Sequence, residues 1–260
     1  MNIGFGRLTA LMAILMAAAW AFQQTVTLAQ AGMQEATRSG TAAGELKRFA
    51  ELHDLAFLWT KTDNSQIYGF IGADYQRLSI HFSSVKKDAQ NPTRYLVRGK
   101  TLVKNNICNF DGAIVLQALR NLDPPYKERG DFDKEHGFVE REISAKYLFK
   151  ESPQQKAGRI FDGSLKTLVY TDRSDRVHYD DVDSDSDGYS NNQFTGTWKS
   201  YRGNTVKKCN WGDYRIPDSG DLDVGAGEFY PNEKYVENGW QAFKLTDEER
   251  EKAEKRAWWK

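Results

Sequence analysis

Between Ile67 and Tyr170 the apolar residues recur at every second position, and this period decides most of what the chain can become. Leu78, Ile80 and Phe82 alternate in YQRLSIHFSS, and Tyr95 to Val103 returns after the chain breaker Asp88 to Pro92 (DAQNP). Ile114 and Leu116 continue from Phe110. Ile143, Ala145, Tyr147 and Phe149 repeat the pattern, and Leu165 to Tyr170 adds one more short apolar run. Residues two apart share one face of a strand, so each segment carries an apolar face to bury and a polar one to leave wet. The expectation is a mainly β protein built as an antiparallel meander.

A short repeat bears on the shape of that sheet. Phe110 to Ile114, Phe161 to Leu165 and Phe194 to Trp198 all read F-x-G-x-apolar. Each copy sets an aromatic ring, a gap and a large apolar side chain on one face. The glycine either lets a neighbouring ring lie over the backbone or marks a bulge where the sheet bends. Both devices belong to curved sheets, so the expected architecture is a closed or strongly curved, barrel-like sheet rather than a flat sandwich.

Helices are expected at the two ends. Glu45 to Trp59 spaces its apolar residues mostly by three and four, which predicts a short helix with one apolar face. Thr246 and Glu249 form a capping box that opens DEEREKAEKRAWW, a helix with little to bury. The chain then divides into a signal peptide over 1–31, a linker over 32–44, one β-rich domain over 45–244 and a C-terminal helix within 245–260.

The signal peptide rests on Arg7, the apolar stretch Leu8 to Phe22 and the small-x-small site Ala29-Gln30-Ala31. That apolar stretch is shorter than the roughly twenty residues of a membrane span. Cleavage and export to a periplasm or the exterior, of bacterial type, are expected, with no transmembrane anchor afterwards. Cleavage removes Arg7 from 36 basic residues and none of the 36 acidic ones. The near-neutral remainder excludes nucleic acid as an expected partner. In an oxidising compartment the two cysteines, Cys108 and Cys209, are expected to form one disulfide, worth about 4 to 5 kcal/mol on the chain-entropy account.

Two acidic stretches raise the question of calcium. Asp183, Asp185 and Asp187 stand two apart before Gly188, with the Tyr189 carbonyl and the Asn191 amide as further oxygen donors. The position where a helix-loop-helix calcium motif places a bidentate glutamate is Phe194, so the expected site is a shorter structural loop between strands. Asp218 to Glu228 brings more carboxylates on a glycine-rich segment that can complete such a shell, and a solvated acidic turn is the competing account. Asp131, Asp133 and Glu135 make a second, weaker spacing of the same kind.

Aromatic residues crowd the last seventy positions. Trp198, Trp211, Tyr214 and Trp240, with Glu228 beside them, are the expected ligand-binding residues for a small molecule or glycan, although aromatics also fill β cores. Catalytic signatures are absent: the four histidines lack ligand spacing, and there is no G-x-S-x-G or H-E-x-x-H. Asp213, Asp218, Asp221, Asp223 and Glu228 supply carboxylates from which a glycoside-cleaving pair can be drawn. Gly196-Thr197-Trp198 resembles the G-x-W of lipocalin-type barrels over three residues. In that family the motif opens the first strand, whereas several strands precede it here, so it assigns no residue a role.

Three functional classes emerge. The first is a non-catalytic envelope protein that binds a ligand or protein partner and is stabilised by calcium. The second is a secreted glycan hydrolase using carboxylates of the 213–228 region. The third is a periplasmic inhibitor or immunity protein.

Overall fold

The computed structural model describes residues 40–122, 136–155 and 158–260. The proposed signal peptide and the Asp131 to Glu135 spacing lie outside these residues. The chain forms two compact units, Met1–Glu45 and Leu46–Lys260. Of the first, residues 40–45 are described and are helical. The second unit holds the whole sheet.

Among the described residues nine strands make one antiparallel sheet: β1 (Ile67–Ile71), β2 (Gln76–Asp88), β3 (Asn91–Val103), β4 (Asn106–Asn121), β5 (Val139–Glu151), β6 (Arg159–Thr171), β7 (Val177–Tyr179), β8 (Asn191–Ser200) and β9 (Val206–Asp213). The order is β5-β4-β3-β2-β1-β9-β8-β6-β7, and a further β5–β6 pairing closes the sheet into a ring of eight strands. The mainly β, curved meander read from the alternation is the observed fold. β7 stands outside the ring, paired to the end of β6 that β8 leaves uncovered.

Aromatic side chains fill the interior, and the F-x-G repeats show how they fit. Gly163 of β6 and Gly196 of β8 are register partners. A Cβ on Gly163 would come within 2.7 Å of the Tyr147 hydroxyl, and one on Gly196 would meet the same atom. Gly112 pairs with Phe149, whose ring crosses it in the same way, and Gly99 lies under Phe110. The glycines therefore make room for rings lying over the backbone. Among the described residues the register shifts fall elsewhere, between Phe82 and Ser84, Lys87 and Asp88, Leu116 and Ala118, and Asn191 and Phe194. Trp211 stacks on Phe194 and meets Tyr147 edge to face.

β1 is covered on both sides. Ile71 points into the ring, whereas Phe70 joins a second cluster with Ile216, Leu222, Phe229, Trp240 and Phe243. Segment 214–245 is thus a coat over the outer face of β1.

Helix boundaries differ from the sequence reading. The N-terminal helix, α1, runs over 40–52, so residues 40–44 are helical rather than linker, and Ala56–Trp59 is a separate 3-10 turn. The break falls where Leu55 donates its backbone N–H to the Tyr95 hydroxyl, a tertiary bond that no local pattern announces. The capping box of Thr246 and Glu249 forms as expected and opens helix α2 (Asp247–Glu254), which buries no residue.

The expected disulfide is corrected. Cys108 and Cys209 are two buried thiols, not a bridged pair. Cys108 lies on β4 and Cys209 on β9, with three strands between them either way round the ring. A disulfide needs Cα atoms roughly 4.4–6.8 Å apart, which opposite walls of a filled ring do not offer. Burial pushes both thiols above their ordinary pKa, most strongly at Cys209.

Candidate functional site

One end of the ring opens into a cavity of about 360 Å³. Its walls are Trp59, Phe82, Phe194 and Trp211, and Asp213 and Asn192 also line it. Asp213 is only 4% exposed. More exposed residues, among them Asp63, Lys255 and Lys260, mark the other side of the cavity.

The buried end is built by two irregularities of the chain. The register shift between Asn191 and Phe194 places Asn192 at φ +44°, a left-handed conformation that turns a buried amide inward at the start of β8. Asn191, just before it, uses its own side chain as a strand substitute. Its Oδ1 accepts from Leu168 N at 2.8 Å, and its Nδ2 donates to Leu168 O at 2.9 Å. These bonds occupy the stretch of β6 between its pairings to β8 and β7.

Three donors meet one oxygen of Asp213. Thr62 Oγ1 donates to Oδ2 at 2.7 Å, Tyr179 OH at 2.8 Å and Asn192 Nδ2 at 2.7 Å. Behind them a relay runs inward: Trp59 Nε1 donates to Thr167 Oγ1 at 3.1 Å, and Thr167 Oγ1 donates to Asn192 Oδ1 at 2.8 Å. Such chains polarise one another and fix side-chain orientation. Burial pushes the Asp213 pKa up to about 6, against the pull of the three hydrogen bonds, and no cation is among the influences on it. Burial and the neighbouring Asp213 charge hold the Tyr179 phenol far above its usual range.

The exposed end carries a different set of groups. Asp63 accepts from Ser65 Oγ and Ser65 N, which lower its pKa and keep it ionised. His81 Nδ1 lies 2.6 Å from Asn64 Oδ1, and burial and Lys100 lower its pKa. Trp259 covers the His81 ring, and its carbonyl accepts from Lys100 Nζ at 2.6 Å. The segment carrying Trp259 follows α2, which is tied to β2 by the bidentate pair of Arg77 with Glu254.

A second, more polar cavity of about 590 Å³ lies among Tyr68, Asp185, Tyr214, Arg215, Glu228 and Arg250. It divides the residues singled out from the sequence. Of the expected ligand-binding set, Trp211 lines the ring cavity, whereas Tyr214 and Glu228 line this second one. Trp240 is fully buried in the cluster outside β1. Trp198 lies on β8 beneath the Arg159 guanidinium, 4.9 Å from the ring centroid. The five do not form one surface.

The acidic loops do meet. Gly188 N donates to Gly227 O at 2.8 Å, and a Cβ on Gly227 would touch Asp187 Oδ1. Residues 181–189 form successive turns, with Ser184, Ser186 and Tyr189 donating backbone N–H groups to carbonyls three residues back. Asp185 and Asp187 are exposed and Asp183 half-buried. The Asn191 amide is spent on Leu168. Among the described residues no group of three or more His, Cys, Asp or Glu side chains is arranged to hold a metal.

The carboxylates of the 213–228 region are likewise dispersed. Asp223 is clamped by Arg215 at 3.0 Å and caps the backbone of Gly225 and Tyr230. Asp221 pairs with Lys234 and Tyr235, and the Asp218 carbonyl accepts from Lys208. Asp213 alone enters the ring. Its donors Thr62, Tyr179 and Asn192 carry no motif, and the one local signal for them is the doubled asparagine opening a strand.

No family model matches the chain, and no curated protein or solved structure shows significant similarity to it.

Proposed function

We propose that this is an exported, non-catalytic binding protein that takes a small ligand into the open end of its ring. One observation carries the reading: an aromatic-walled cavity ends on a buried, hydrogen-bonded carboxylate. Apolar walls with a few convergent polar groups and a displaced pKa are the common make-up of a ligand site. The export part of the reading rests on the sequence of residues 7–31. Hydrolysis of glycans has weaker support, because Asp213 and Glu228 line different cavities and the carboxylates between them are tied to local partners.

The test is a ligand-observed NMR screen of small aromatic fragments against the wild type and Asp213→Asn. Asparagine keeps the shape, and its Oδ1 can accept the same three donors, so the ring stays folded. Fragments that bind the wild type and lose at least tenfold in affinity to the variant support the reading. A screen without hits, or hits indifferent to Asp213→Asn and displaced by a fragment of the second cavity, would sink it.

A further inference from the structure

Asp213 presents a problem of charge that the protein does not solve internally. Thr62, Tyr179 and Asn192 all direct hydrogen atoms at Oδ2, and among the described residues none donates to Oδ1. The Asn192 amide donates to Oδ2, and the Thr62 and Tyr179 hydroxyls beside it can donate or accept; with its pKa at about 6 the carboxyl is ionised at neutral pH. A buried charge ordinarily has a partner of opposite sign. Lys255 and Lys260 stand at the exposed end of the cavity, where Lys255 pairs with Glu251 and acts on Asp63, and among the described residues no lysine bonds Asp213. The remaining wall is aromatic, which attracts cations through the ring faces.

We propose, building on the ring-cavity reading above, that the ligand is a small organic cation, an amine carrying an apolar body, whose ammonium pairs with Asp213 while its body lies among Trp59, Phe82, Phe194 and Trp211. Asp63, on the same cavity, supplies a second negative charge along the way in. A neutral ligand would leave the Asp213 charge unpaired, and an anion seated among the aromatic rings would oppose it directly. The cavity volume of about 360 Å³ takes a single substituted aromatic ring with a short amine tail and excludes a polyamine bearing bulky groups.

The experiment uses three probes of one shape, 2-phenylethylamine, 2-phenylethanol and phenylacetate, each titrated by calorimetry and thermal shift at neutral pH. The amine should bind the wild type at least tenfold more tightly than the alcohol and phenylacetate weakest of all. Asp213→Asn should erase the preference for the amine over the alcohol. If alcohol and amine bind equally, the cation inference fails and the binding reading survives. If phenylacetate binds best, the lysines govern the site and the cation inference is wrong. If none binds, both readings fall. An amine preference that persists in Asp213→Asn while Asp63→Asn removes it would overturn the assignment to Asp213.

Discussion

Trp259 lies flat against His81, their ring centroids 4.2 Å apart and their planes 14° from parallel. Both residues line the ring cavity, so this stack is part of its wall and narrows its opening. It is fastened by few bonds. α2 buries nothing, and beyond the Arg77–Glu254 pair the segment's hold on β3 is the Lys100 bond to the Trp259 carbonyl.

Trp259→Ala should therefore open the cavity without unfolding the ring. The stack and its buried area are worth about 1 to 2 kcal/mol. The indole N–H of Trp59, bonded to Thr167 behind the cavity, should exchange with solvent at least severalfold faster in the variant. Unchanged exchange, measured by NMR, would show that Trp259 does not control access.

Titration of Asp213 should weaken the fold as pH rises. Its folded pKa of about 6 lies above the 3.8 of an ordinary aspartate, so the folded state binds the proton more tightly than the unfolded one. The resulting stabilisation is complete below the unfolded value and is lost as pH climbs from about 4 to about 6. Two units of displacement correspond to roughly 3 kcal/mol. Denaturant midpoints compared between wild type and Asp213→Asn should diverge across that window and run parallel above it. Parallel curves throughout would mean that Asp213 titrates normally.

Asn192 separates backbone strain from hydrogen bonding. Asn192→Ala loses the bonds to Asp213, Thr167 and Leu58 and puts a less tolerant residue at φ +44°. Asn192→Gly loses the same bonds without the strain. Both should destabilise, the alanine variant by about 2 to 4 kcal/mol and the glycine variant by about 1 kcal/mol less. Equal midpoints in urea would show that the left-handed turn costs nothing here.

Tyr147 is held for its ring rather than for its hydroxyl. The oxygen is buried, has no hydrogen-bond partner among the described residues, and is wedged against Gly163 and Gly196. Tyr147→Phe removes an unsatisfied polar atom and should raise stability by about 1 kcal/mol. Gly196→Ala should do the opposite by several kcal/mol, since its Cβ would meet both that hydroxyl and the Asp162 carbonyl. Calorimetric midpoints decide both, and a destabilised Tyr147→Phe would reveal a partner for the phenol.

The cysteines should be indifferent to reductant. With Cys108 and Cys209 on opposite strands of the ring, a reducing agent should leave the melting temperature unchanged. A drop of several degrees would mean that the two thiols join in solution.

Much of the fold was readable because strand alternation is a local property. The inward faces of β2 to β6, from Leu78 to Val169, follow from counting by two, and the repeated F-x-G glycines marked where rings cross the backbone. The site was less legible for a physical reason. Thr62, Tyr179, Asn192 and Asp213 come from four separate stretches and converge only through ring closure and a bulge, neither of which has a local spacing. The aromatic crowding after Asn192 misled in the same way: Trp211 and Trp240 serve two different cores, a distinction set by which side of β1 they reach. The cysteine pairing failed because similar sequence surroundings say nothing about which wall of a ring a strand occupies.

The pairing of β1 with β9 carries a consequence for how the molecule is made. Most strands pair with a neighbour in sequence, so hairpins β2–β3 through β5–β6 can form early at small entropic cost. β1 and β9 are joined from far apart, and Thr62 and Asp213, which flank that seam, are 151 positions distant in the chain. The seam is therefore the late step in assembly, and the buried carboxylate gains Thr62, its donor from the far side, only when it shuts. A nascent or partly unfolded chain can own most of its sheet and still have no binding pocket, so ligand competence is a report that the last seam has sealed.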